Sequence, residues 1–260
     1  MSATQLNVTR LGDQGPIIAF CHGLFGQGKN WTQIAKAFSA EHRVLLIDMP
    51  NHGRSGWTNA FAYADLADIV ASLFSADEPV TLVGHSMGGK IAMALALRHP
   101  ELVERLVVVD VSPVAYESGR EFLGYIDTMR GLDLTTLQRR DEADAALREA
   151  VPNTTVRSFL LQNLRREGDG WSWLLNLDLL SAHMTDLAGW PADELGAASY
   201  DGPVLWIGGA NSAYVADDYA PAMEKLFPRV RRVTIKDAGH WVHSERPDVF
   251  VEVLKRFVPA

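Results

Sequence analysis

Four short apolar runs punctuate the first 113 residues, at 16–21, 44–48, 80–83 and 106–111, each bounded by polar, Gly or Pro positions. Runs of that length, rich in Val, Ile and Leu, read as strands buried on both faces. Between them, 29–39, 62–75 and 87–98 carry helical spacing; in the second, Ala62, Leu66, Ile69, Val70 and Leu73 fall on one stripe. Strand and helix alternating in this way predict a mostly parallel sheet flanked by helices and joined by right-handed crossovers. The rhythm stops after residue 113. From 114 to 197 only amphipathic segments appear, one marked by Phe122, Tyr125, Ile126 and Met129, another by Val156, Phe159, Leu160 and Leu164. The charged stretch 139–149 between them reads as a solvated helix face. After Pro203 the alternation resumes, with strands expected at 204–207 and 230–235 and helices at 219–226 and 249–258. The expected organisation is an α/β core of 1–113 and 198–260, interrupted by a helical cap of 114–197.

Composition narrows the function classes. A chain of 260 residues with 47% hydrophobic and 22% charged positions is an ordinary globular one, neither disordered nor coiled coil. With 24 basic against 32 acidic side chains and no basic block, a nucleic-acid partner is not expected. The single cysteine, Cys21, excludes an internal disulfide and a CxxC metal or redox site. No apolar run reaches the roughly 18–20 residues of a membrane span. The start Met1-Ser2-Ala3-Thr4-Gln5 has neither the basic residues nor the apolar stretch of a signal peptide, so a cytoplasmic location is expected.

The most specific chemical signal is Gly84-His85-Ser86-Met87-Gly88-Gly89, directly after the run at 80–83 and at the start of the helical pattern. A serine on so sharp a strand-to-helix turn has a strained backbone that lifts its hydroxyl clear of the sheet, and small neighbours let the chain approach that closely. A serine nucleophile needs a base, itself oriented by a third group, and in this strand–turn–helix context the partners follow in the order acid, then histidine. Only His240 and His243 lie late enough. His240, in Asp237-Ala238-Gly239-His240-Trp241 just beyond the last strand, is the expected base; His243 is expected to cap or hydrogen-bond the same loop.

The acid is less direct. The loop after the strand at 204–207 reads Gly208-Gly209-Ala210-Asn211-Ser212, where an asparagine cannot stabilise an imidazolium as a carboxylate does. Asp217 and Asp218 read as exposed residues opening the next helix. Asp110 ends the apolar run at 106–111, where a buried carboxylate needs a partner, and it is the preferred acid. The oxyanion donors are expected to be the backbone N–H groups of Met87, after the nucleophile, and of Leu24, in His22-Gly23-Leu24-Phe25-Gly26. The continuation Gly26-Gln27-Gly28 lacks the third glycine of a dinucleotide fingerprint and there is no Walker pattern, so no cofactor is expected. No metal is expected either, because H-E-x-x-H is absent. Phe25, Tyr116, Trp173 and Trp241 are candidate pocket walls, although core packing is the more ordinary role for Trp173.

With these pieces placed, the chain resembles the α/β-hydrolase superfamily over nearly its whole length, and more narrowly the YbfF-type esterases and the abhydrolase-domain proteins. The resemblance rests on His22-Gly23-Leu24-Phe25-Gly26 with Asn30-Trp31, Asp48 with Asn51-His52-Gly53, and the serine elbow with Lys90. It extends through Asp110-Val111-Ser112-Pro113-Val114-Ala115-Tyr116, Asn176-Leu177-Asp178 and Gly239-His240-Trp241-Val242-His243. It implies an α/β-hydrolase fold, a catalytic Ser, an acid at the Asp110 position and a His, and a helical cap over the site. Met49-Pro50 departs from the family's pattern of a small residue and Arg ahead of Asn51, which leaves open how that loop braces the oxyanion turn. The expected activity is cofactor-free hydrolysis of small to medium carboxylic esters. The same residues would also serve a thioester or acyl-CoA, a carbon–carbon bond or perhydrolysis, or form a ligand receptor without turnover.

Overall fold

The computed structural model describes residues 4–117 and 119–259. Its main sheet is built from β1 (Val8–Leu11), β2 (Ile17–Cys21), β3 (Arg43–Ile47), β4 (Val80–His85), β5 (Val103–Val109), β8 (Val204–Gly209) and β9 (Val230–Ile235). The remaining strands, β6 (Leu164–Glu167) and β7 (Gly170–Trp173), form a separate hairpin. The main sheet runs in the order β1-β3-β2-β4-β5-β8-β9, and every neighbouring pair is parallel except β1 against β3.

Because side chains alternate across a strand, each apolar run feeds both faces. Ala19, Leu45, Leu82, Leu106 and Val108 join a cluster with the helices Tyr63–Ala71 and Met87–Arg98. Phe20, Leu46, Val83, Val107 and Ile207 join the opposite one, with Trp31, Ile34 and the helix Pro247–Lys255. This two-sided burial is why the central strands read as continuous apolar runs. β1 has no such run: Thr9 and Arg10 are exposed on an edge strand of four residues, and the sequence pattern does not reveal it.

Between β5 and β8 the described residues form six helices and the β6–β7 hairpin. To the expected helical insertion the hairpin adds two short strands that the sequence pattern does not reveal. The helix Thr154–Leu161 stops short of Leu164, which begins β6, and Arg165, Arg166 and Glu167 of that strand are exposed. Ile126, Met129, Leu160, Leu180 and Met184 of the insertion share one hydrophobic cluster with Leu24, Phe25 and Met87 of the sheet side. The charged stretch folds as the helix Arg140–Leu147, burying only Ala143 and Leu147. Among the described residues no helix is long and apolar enough to cross a membrane. The carboxyl ends of β2, β4, β5, β8 and β9 face the same edge of the sheet, where open α/β sheets bind their ligands.

Candidate active site

β4 ends at His85 and the next helix begins at Met87, so Ser86 alone makes the reversal, with φ 51° and ψ −120°. A non-glycine residue in that region is strained and persists only where its surroundings hold it. Two glycines do so. A Cβ on Gly84 would stand 2.3 Å from the carbonyl oxygen of Gly88, and one on Gly88 would stand 2.4 Å from that of His22. Both obstacles are backbone and cannot swing aside. Gly84→Ala is therefore expected to destabilise the protein by about 2 kcal/mol or more, a fall in Tm of roughly 5–10 °C in a thermal melt. An unchanged melt would mean that the elbow yields without cost.

His240 is carried on the loop that follows β9. Its Nε2 lies 3.1 Å from Ser86 Oγ and its Nδ1 lies 2.7 Å from Asp110 Oδ2. An ionised carboxylate only accepts, so Nδ1 carries the proton and Nε2 is left to accept from the serine hydroxyl. Asp110 is wholly buried, at φ 50°, at the carboxyl end of β5. Its other bonds come from the loop that lacks an acid of its own: Gly209 N–H donates to Oδ1 at 2.9 Å and Ser212 Oγ–H donates to Oδ2 at 2.5 Å. Sequence reasoning passed over Ser212. Its signal in the sequence is a hydroxyl in a polar loop immediately beyond a buried strand, a donor to a buried carboxylate rather than the acid itself. Ser212→Ala removes one donor to a buried charge, and kcat is expected to fall about 10-fold or somewhat more in steady-state assays.

His85 also does work that the motif alone does not reveal. Its Nε2–H donates to the carbonyl of His240 at 2.8 Å and so fixes the backbone that carries the imidazole. Burial, with His240 and His243 close by, holds the His85 pKa well below the ordinary value, so the ring stays neutral. His243 differs from expectation. Its side chain neither caps nor hydrogen-bonds its loop: it stacks on Trp31 with centroids 4.1 Å apart, and its Nδ1 has no hydrogen-bond partner among the described residues. Burial first, and His240 second, push its pKa down to about 3, which makes it a neutral packing ring.

The amides of Leu24 and Met87 flank the serine, and neither donates to another protein group among the described residues. The turn carrying Leu24 is braced from below. His22 Nδ1–H donates to the Gly23 carbonyl at 2.8 Å, and its Nε2 accepts the Met49 N–H at 2.9 Å. The bracing therefore uses the main chain of Met49, and the unusual side chains of Met49-Pro50 leave it intact. Asp48 anchors the same loop, accepting from Gly28 N–H at 2.7 Å and Arg54 N–H at 2.9 Å. Asp217 and Asp218 lie elsewhere: Asp217 pairs with Arg232 at 2.6 Å, and both aspartates are exposed.

Ser86 opens on two small chambers, each with about 30 Å³ of internal space. Phe25, Leu24, Phe159, Trp241 and His240 line the first. Tyr116, Tyr63, Met87, Lys90, Met184 and Leu187 line the second. Of the four candidate walls, Trp173 is corrected to the packing role that was its alternative. It borders neither chamber; it stands on β7, where its indole N–H donates to the Met129 carbonyl at 3.1 Å and ties the hairpin to the helix Gly119–Arg130. Among the described residues no group of three or more His, Cys, Asp or Glu is placed to hold a metal ion.

Lys90 was noticed in the sequence only as part of the motif. It is buried, and its Nζ donates to the carbonyls of Ala188 at 2.8 Å and Gly189 at 2.5 Å. Burial lowers its pKa to about 7. In the unfolded chain it keeps its proton to about pH 10.4. Between those values the unfolded state binds more protons, so folding stability rises with pH. From pH 7 to 10 the wild type is expected to gain Tm relative to Lys90→Met. A constant difference would show that the ammonium is not desolvated.

Residues 16–247 match the family described as the alpha/beta hydrolase fold. The chain belongs to the α/β-hydrolase family. Among the relatives of this α/β hydrolase, the Danio rerio protein named sn-1-specific diacylglycerol lipase ABHD11 is 38% identical over 257 residues, 95% of this chain and 79% of that one. The Escherichia coli protein named Esterase YbfF is 32% identical over 245 residues, 93% of this chain and 92% of that one. A solved structure described as a marine microorganism esterase superimposes with a TM-score of 0.93 at 30% identity, covering 98% of this chain and all (100%) of the other.

Proposed function

We propose that this α/β hydrolase cleaves carboxylic esters of small to medium acyl groups through an acyl-enzyme on Ser86. One observation carries the reading: the unbroken line from Ser86 Oγ through His240 to Asp110, with separations of 3.1 and 2.7 Å. The names of its relatives, an esterase and a diacylglycerol lipase, support an ester as the bond. His240 Nε2 takes the Ser86 proton as Oγ attacks the acyl carbon, and the carbonyl π pair moves onto oxygen. The N–H groups of Leu24 and Met87 receive that oxyanion, each worth about 3 kcal/mol of barrier. Collapse expels the alcohol, protonated by His240; water then enters, gives its proton to the same nitrogen, and releases the acid as Ser86 regains its proton. Asp110 holds the tautomer and faces the imidazolium.

The chemistry needs no cofactor. The insertion acts as the cap, because its side chains Phe122, Phe159 and Met184 close the chambers over Ser86. His240 lines the first chamber and not the second. The leaving alcohol must meet the proton donor, so it occupies the first chamber and the acyl group the second. The test is hydrolysis of p-nitrophenyl esters of increasing chain length, alongside labelling by a fluorophosphonate. Turnover of butyrate with covalent labelling is expected; folded protein that does neither would overturn the reading.

A further inference from the structure

The second chamber contains a charged group that the ester chemistry leaves unused. Lys90 lies one helical turn beyond Ser86, on the helix that the serine opens, and both line that chamber. Residues at this spacing stand on the same helix face. Among the described residues, the groups against the amine are neutral. It donates to the carbonyls of Ala188 and Gly189, and its Nζ stands 4.8 Å from the ring centroid of Tyr116 and 5.7 Å from that of Tyr63. Burial raises the affinity of both phenols for their protons, so neither supplies a negative charge. An ammonium has three N–H donors, and the third has no oxygen acceptor among the described residues.

Tying the insertion to the nucleophile helix does not require a cation, since a neutral amide donor would serve two carbonyls. Burying a positive charge without a counter-ion is costly, and the chamber that Lys90 lines offers room to admit one. Beside Tyr214, its other walls include the apolar Val111, Met184 and Leu187, which suit a short run of methylenes. We propose that the second chamber is a subsite for short acyl groups ending in a carboxylate, with Lys90 as the counter-ion. The substrate class is then a half-ester of a short dicarboxylic acid. The inference rests on the ester-hydrolase reading and on the acyl group occupying this chamber. The depressed proton affinity of Lys90 fits it: a bound carboxylate would restore the charged form.

Three substrates separate the possibilities at pH 6.5: monomethyl glutarate, its uncharged isostere methyl 5-methylhexanoate, and p-nitrophenyl butyrate as the control for ester cleavage. In the wild type, kcat/KM for the half-ester is expected to exceed that of the isostere at least 10-fold, and Lys90→Met is expected to lower that ratio at least 10-fold. A wild-type ratio of one or less overturns the subsite, and this measurement stands even if Lys90→Met fails to fold. A high ratio that survives in folded Lys90→Met would assign the preference to another group and overturn Lys90 as the counter-ion, leaving it a structural tie. Cleavage of p-nitrophenyl butyrate without half-ester preference defeats this inference alone. If none of the three is cleaved, the ester reading falls and takes the inference with it.

Discussion

Ser86→Ala is expected to lower kcat for p-nitrophenyl butyrate by about 10⁵–10⁶, by analogy with other serine hydrolases whose nucleophile has been removed. It should abolish fluorophosphonate labelling as well. The fold should persist, because alanine can occupy the strained turn no worse than serine, and the strain at φ 51° is held by Gly84 and Gly88 rather than by the hydroxyl. Circular dichroism and a thermal melt check that condition. Activity within about 10-fold of wild type in pure Ser86→Ala would mean that the attacking atom is not this oxygen.

The second large effect is expected at Asp110. Asparagine matches its shape but offers an amide to His240. To keep its bond to that ring, Nδ1 must become the acceptor, which moves the proton to Nε2 and leaves Ser86 without a base. The expected loss in kcat is about 10⁴, as for the wrong tautomer in a serine-protease triad. The same exchange at the exposed Asp218 should leave activity within about 2-fold. If Asp218→Asn were the damaging change and Asp110→Asn remained active, the acid assignment would be wrong. Asp110→Asn also turns one acceptor of the Ser212 hydroxyl and Gly209 amide into a donor, so some loss of Tm is expected beside the loss of rate.

Composition, spacing and apolar runs were enough to determine the central strands, because a strand buried on both faces needs an uninterrupted apolar stretch whatever its neighbours are. The same holds for the serine at the elbow: a reversal between β4 and its helix admits only small residues around it, and that demand is written locally in Gly84, Gly88 and Gly89. Of the edge and surface elements, β9 left a legible run, but others left no comparable trace. β1 and the β6–β7 hairpin are short and half exposed, and they exist through pairing with partners that no local pattern names.

Distance relations were decided only by the tertiary structure. Ser212 reaches Asp110 across 102 residues, and His85 reaches the His240 carbonyl across 155. Both bonds depend on where the sheet order places β8 and β9. Trp173 shows the converse, an aromatic whose pattern admits both a pocket wall and core packing until the hairpin carries it to Met129. Lys90 is the clearest case. In the sequence it is one more residue of a helix start; only the insertion folding over it removes water from its amine and sets it, with nothing but neutral neighbours, beside the serine.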